Sequence, residues 1–376
     1  MKTPVVPPAP IPAASVSEFI ATFAVVLAVI VALFIFDTAL ARVDIRGRKS
    51  YAAREFRTGE QLLAEAKTEQ AIEHLRSASM LDDDNSAYAT ALAQAILADG
   101  RPRDAEQLLL PLLERNPTDG AANLAMARVL AQEERTEEAK SYYHRAIYGL
   151  WPGGAHENRI EARFELIDLL ARTNARQELL AELLPIQDDS ANTPAQRMKI
   201  AHLFVVAGSP SRAVAIFREL LRRNKPDADA YVGLAEAALS LGDFATARAD
   251  LVAAQKLTPD DSTKYQGRIA LTDSVIALDP TQLGLSQPEQ YRRARNLVQM
   301  TLKSARSCLA AQAPQVGVAL DSASAFLVSP APSDGRASSI QQALSVAQSL
   351  WGLQRTRCAA APPDGVLALI QNRIAQ

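Results

Sequence analysis

The chain is poor in the residues that chemistry uses most often. Its 376 residues include four histidines and two cysteines. His74, His144, His156 and His202 do not pair with one another or with a cysteine at metal-ligand spacing, and His156-Glu157 is not part of an HExxH. Cys308 and Cys358 form no CxxC, which excludes a zinc ribbon or a thioredoxin-type motif. There is no phosphate loop and no GxSxG elbow. Asp82-Asp83-Asp84 lacks the alternating ligands of a calcium loop and reads as a solvated bend. Glu133-Glu134 and Glu137-Glu138 read as solvated helix faces. No catalytic, metal or cofactor constellation is left, so an enzyme is not expected. An excess of one charge is missing too: 40 Lys and Arg against 42 Asp and Glu leave a formal charge of −2, with no pull toward nucleic acid. Aromatics are only 5% of the chain, while alanine is abundant, which suits closely packed helices.

What is present is a period. Ala71, Ala105 and Ala139 recur at about 34 residues, the period of a helix–turn–helix repeat, and Ala213 and Ala247 repeat that spacing later. The first unit adds Gly59, Leu62, Leu75 and Ala78, with Asp83 where a proline is expected. The second adds Leu92, Ala93, Ile96, Leu109 and Pro117, and the third Met126, Ala127, Leu130, Tyr143 and Ala146, with Pro152 one residue late. Two later units bring Ile200, Ala201, Phe204, Phe217, Leu220 and Pro226, then Tyr231, Leu234, Ala235, Leu251, Ala254 and Pro259. This pattern resembles the tetratricopeptide repeat, a helix hairpin whose small residues lie where its two helices cross and whose large ones fill the adjacent grooves. The interval from Ala139 to Ala213 slightly exceeds two such periods. It fits a degenerate unit with a longer connection, packed through Leu166, Leu170, Leu179 and Leu183. Pro111, inside a second helix, implies a kink.

Before the repeats, Phe19 to Phe36 is an uncharged apolar run with Thr22 its one polar member. At roughly 1.5 Å per residue it spans about 27 Å, near the hydrocarbon thickness of a bilayer. It reads as one transmembrane helix. The alternatives are a buried core helix and a cleaved signal peptide, for which Ala39-Leu40-Ala41 offers a small-x-small site. Five prolines within Met1 to Ser17 make that tail extended and disordered. Arg42, Arg46, Arg48, Lys49, Arg54 and Arg57 follow the apolar run, whereas Lys2 is the one basic side chain before it. The positive-inside rule therefore favours a cytoplasmic repeat domain.

The expected fold is all-α: a tail over 1–17, a transmembrane helix over 18–40, a basic juxtamembrane segment over 41–51, a solenoid of about six repeat-like hairpins over 52–260, and a helical region over 261–376. In that last region Ser262–Leu278, Pro288–Ala311, Val316–Leu327, Ser338–Thr356 and Val366–Ile374 read as helices, the last folding back as a cap. An up–down–up order of the middle three puts Cys308 and Cys358 at one end, where a disulfide is geometrically allowed. It would stabilise by roughly 4 kcal/mol and indicate an oxidising compartment. The alternative is two buried thiols acting as small hydrophobes.

The resemblance implies function as a binding scaffold, with a protein or peptide partner lying along the first helices of the hairpins. Some relatives clamp acidic C-terminal peptides there; the matching positions are Phe56, Glu60, Ala91, Ala121 and Ala125, none of which can bind a carboxylate. The stripe instead holds Phe56, Leu63, Thr90, Gln94, Leu97, Leu124, Arg128, Met198, His202, Val205 and Glu236, a mixture suited to a helix or an extended peptide. The chain is similar to bacterial single-pass, membrane-tethered repeat adaptors of the inner membrane. The alternative is a periplasmic envelope-assembly factor with a Cys308–Cys358 disulfide.

Overall fold

The computed structural model describes residues 16–189, 192–223, 225–261, 263–309, 314–330, 337–358 and 365–375. Among these the chain is all-α, relieved by a single isolated β-bridge between Asp119 and Leu150. The expected tail lies almost wholly outside the described residues.

The helix hairpins follow from a backbone device repeated along the chain. The first helix of each pair ends in a residue of left-handed conformation: Ala66, Gly100, Glu134, Asn174, Gly208 and Gly242. Successive endings lie about 34 residues apart, one repeat period, except that the interval from Glu134 to Asn174 is longer. Just past each, an amide reaches back to close the helix end, from Lys67 to Leu62, Arg101 to Ile96, Arg135 to Leu130, Ala175 to Leu170, Ser209 to Phe204 and Asp243 to Ala238. This is the Schellman ending, which satisfies carbonyls that a helix terminus otherwise leaves open. Six such endings define six hairpins, and the one long interval places the degenerate unit fourth.

The pairs are α1 (Val16–Ala64) with α2 (Thr68–Leu81), α3 (Ser86–Ala98) with α4 (Pro102–Arg115), α5 (Gly120–Gln132) with α6 (Thr136–Tyr148), α7 (Ala155–Arg172) with α8 (Arg176–Leu183), α9 (Pro194–Val206) with α10 (Pro210–Arg223), and α11 (Ala228–Ser240) with α12 (Phe244–Leu257). Two compact units divide this series, one ending at Leu166 and the other beginning at Ile167, inside α7.

Packing explains the residue types. Ala71, Ala105, Ala139, Ala213 and Ala247 are each fully buried. At Gly59 an added Cβ would lie 2.6 Å from Leu75 Cγ, so nothing larger fits that crossing. In the fourth hairpin the two small positions hold Ile167 and Leu179, both buried. Its second helix is correspondingly short, eight residues, and runs into a 3₁₀ turn at Leu184–Ile186. The extra residues before this hairpin form a plug. Leu150 exchanges backbone hydrogen bonds with Thr118 and Gly120. The Trp151 indole then occupies the space where a side chain on Gly120 would stand, and its Nε1 donates to the Ala146 carbonyl at 2.9 Å. Pro111 lies within α4, which continues to Arg115.

The first hairpin departs from the expected segmentation. The apolar run, the basic stretch and the first repeat helix are one unbroken helix of 49 residues, so the expected boundaries at 40/41 and 51/52 fall inside it. No proline interrupts those residues. The apolar part has a mean hydropathy of 2.7 and is not buried within the chain; by length and composition it suffices to cross a membrane. Among the described residues the first buried side chain of α1 is Ala52.

The second unit continues with α13 (Thr263–Leu278), α14 (Gln287–Leu309), α15 (Pro314–Val328), α16 (Ala337–Arg357) and α17 (Val366–Ile374). They enclose a core of Phe244, Val275, Leu297, Val298, Leu302, Leu350 and Ile370. Gln354 donates to Ser304 Oγ at 2.7 Å, which brings the C-terminal ends of α16 and α14 together. Gln371, fully buried, donates to Thr301 Oγ1 at 2.9 Å and seats α17. Cys358 packs against Ala305 and Val316 and is disulfide-bonded. The side chain of Cys308 lies outside the described residues.

Candidate functional site

The side chains expected to meet a partner lie on α1, α3 and α5 in the first unit and on α9 and α11 in the second. They mostly reach one repeat along the chain. Phe56 on α1 meets Tyr88 on α3, with ring centroids 4.8 Å apart. Arg128 on α5 donates through Nε and Nη2 to Glu165 and through Nη2 to Glu161 at 2.7 Å, both on α7. The Tyr143 hydroxyl also donates to Glu165, at 3.2 Å.

In the second unit, Lys199 on α9 donates to Asp168 on α7 at 2.7 Å. His202 Nδ1 lies 3.5 Å from Glu236 on α11, and Glu236 accepts from Arg268 on α13 at 3.1 Å. The His202 ring also stands edge-on to Phe217. Partners such as these, Lys199 with Asp168 and Arg128 with Glu165, are separated by 31 to 37 residues, so they join equivalent helices of adjacent hairpins. The hydrogen bond from His202, then the positive charge of Arg268, hold the Glu236 carboxyl below its ordinary range against the opposing effect of burial.

The residues of the stripe therefore differ in what they can offer a partner. Phe56, Arg128, His202 and Glu236 are committed to inter-repeat contacts. Leu124 is 4% exposed and belongs to the interior rather than to a surface, because α5 is packed on nearly all sides. Gln94, Leu97, Met198 and Val205 remain half-buried on the surface, as does Leu63. Gln94 makes no hydrogen bond among the described residues, and Thr90 Oγ1, one turn before it, is buried without a partner. Met198 lines a recess of about 360 Å³ with Pro194, Ala195, Leu220, Lys225 and Asp227.

Sequence reasoning missed Lys199, Arg268 and the floor of that recess. The same period, applied to charged residues and not only to small ones, would have found the first two. Among the described residues no group of His, Cys, Asp and Glu could hold a metal ion. The chemistry offered is contact: half-buried apolar side chains bordered by fixed charges.

The tetratricopeptide repeat family matches residues 198–262 and, through a second description of the repeat, 62–129 and 96–148. No curated protein matches the chain. Among solved structures, one from a functional characterization of Pseudomonas aeruginosa pilF is 19% identical, covers 60% of this chain and 99% of its own, and has a TM-score of 0.45. The TPR domain of P58(IPK) is 14% identical over 86% of this chain and 98% of its own, with a TM-score of 0.27. The yeast Sti1 TPR2AB domain in complex with pHSP90 is 17% identical over 59% and 97%, also at 0.27.

Proposed function

The chain is a tetratricopeptide repeat protein, and we propose that it is a membrane-anchored scaffold that holds a protein partner close to a bilayer. The continuity of α1 carries this reading. A helix that leaves an apolar span and becomes the first helix of the first hairpin has no flexible joint. Residues 41–51 of that helix set the first buried contact about 16 Å from the span. Repeats fixed at that height raise the local concentration of a partner at the membrane. Within the first unit a partner lies against Gln94 and Leu97, and within the second against Met198 and Val205; the charged inter-repeat pairs order the helices inside each unit. Arg42, Arg46, Arg48 and Lys49 favour a cytoplasmic repeat domain. No catalysis is assigned to the chain under this reading.

One observation favours the opposite side: Cys358 is disulfide-bonded, and disulfides persist in oxidising compartments. With two cysteines in the chain, Cys308 is its intramolecular partner under this alternative. Reporters fused after Gln376 separate the two. One that is active only inside the membrane should give signal. Signal solely from a reporter active only outside would reverse the orientation and make the chain an envelope-facing scaffold.

A further inference from the structure

Most guanidinium groups in this protein that contact another side chain contact a carboxylate; Arg128, Arg135, Arg248, Arg268 and Arg373 are examples. One face of α14 breaks that habit. Arg295, Lys303 and Arg306 line a single groove between α14 and α15, with Gln299 among them and Leu302 and Leu327 as its apolar wall. The groove has an open volume of about 580 Å³. Arg295 donates to the carbonyls of Leu327 and Ser329 at the end of α15, and Arg306 donates to Ser324 Oγ at 2.7 Å. Lys303 is exposed and has no partner among the described residues. Asp321, the one acidic residue of α15, forms no ion pair with any of the three. The surrounding sequence is biased the same way: residues 287–376 hold nine Lys and Arg against four Asp and Glu, in a chain whose total charge is −2.

Three cations with no carboxylate partner among the described residues, gathered in one recess, form an incomplete electrostatic site. We propose that this groove binds an extended acidic segment of a partner protein. Arg295 and Arg306 stand three turns apart on α14, about 16 Å along the axis, which matches about five residues of extended chain. Acidic side chains of such a segment face Lys303 and Arg306, where a guanidinium offers paired donors to a carboxylate. An intervening apolar side chain rests on Leu302 and Leu327. A peptide fits better than a lipid surface, because the cations line a recess with an apolar wall and a flat bilayer cannot enter it. This groove is separate from the repeat face, so its fate does not decide the reading of that face.

The test uses the full chain in nanodiscs of zwitterionic lipid. The probe is a short fluorescein-labelled peptide alternating Glu and Leu, long enough to span the groove, followed by anisotropy, with a Lys–Leu peptide as control. The acidic peptide should bind and the basic one should not. The double variant Lys303→Glu/Arg306→Glu should weaken binding about tenfold or more. The charge-matched control Arg76→Glu/Arg115→Glu, also at exposed positions, should leave binding unchanged. Absence of binding to the natural chain overturns the proposal, as does equal weakening by both double variants. Displacement of the peptide by glycerophosphoglycerol at millimolar concentration would reassign the groove to a lipid headgroup, and so overturns it too.

Discussion

Asp279 and Arg373 lie 94 residues apart in sequence and meet at 2.8 Å. The Asp279 side chain is 1% exposed, and its other oxygen accepts from the amide and hydroxyl of Thr281. The Arg373 guanidinium also lies over the Phe244 ring, 5.3 Å from its centroid. One residue of the last helix thus touches α12 and the end of α13. The role is that of a latch: it closes the open end of the repeat series, whose apolar face no further hairpin covers.

Replacing Arg373 with Ala leaves a buried carboxylate without its counter-charge. For a fully buried pair that costs about 3–5 kcal/mol; with Arg373 itself 29% exposed, about 2 kcal/mol is expected. Urea unfolding measures the loss. Hydrogen exchange should show residues 366–374 deprotected while α9–α11 stay protected. Unchanged protection of α17 would refute the latch.

Gly233 is held by steric contact. A Cβ there would lie 2.2 Å from Phe217 Cζ, so Gly233→Ala overpacks the interface of α10 and α11 and should cost about 2 kcal/mol. Phe217→Leu in the same chain should recover part of that loss, giving a non-zero coupling in a double-mutant cycle. Additive losses would mean the contact is not the cause.

Three of the six hairpin turns place a side chain in left-handed backbone: Ala66, Glu134 and Asn174. Ala66→Gly and Glu134→Gly should each raise stability by about 0.5 kcal/mol, the relief of about 1–2 kcal/mol of strain less the added entropy of glycine. Asn174→Gly should gain less, because asparagine tolerates this conformation. Thermal unfolding ranks the three, and a fall in midpoint for Glu134→Gly would contradict the turn geometry.

Glu236 ties stability to acid pH. Its carboxyl is held below its ordinary range in the folded chain. A depressed acid contributes stability that is present above its unfolded value and lost as the pH falls through the folded one. The natural chain should lose more stability between about pH 5.5 and pH 3 than Glu236→Gln does, as chemical denaturation at each pH reports. Parallel acid limbs would mean that the link from His202 to Glu236 to Arg268 carries no net interaction.

Much of the repeat architecture was legible because its determinants are local and periodic. The evenly spaced buried alanines name the helix crossings directly. The fourth hairpin was readable only as a length, since Ile167 and Leu179 replace the small residues that mark the others. The continuity of α1 was hidden: a charge pattern marks a bilayer edge but does not end a helix. The latch was invisible for a different reason. Arg373 and Asp279 are single polar residues in ordinary surroundings, and no spacing rule links positions so far apart. The stripe residues lie on the first helices of their hairpins. Whether Arg128 faced solvent or Glu165 depended on the neighbouring repeat.

Anchoring of the repeats to a bilayer by an α1 that stays attached to them is tested most directly by alkaline carbonate extraction. Membranes containing the full chain with a C-terminal epitope are extracted and both fractions are run on one gel. A full-length band that remains in the pellet is expected. A band in the supernatant, shortened by about 4 kDa as removal of the apolar run would give, would contradict anchoring and leave the repeats a released domain.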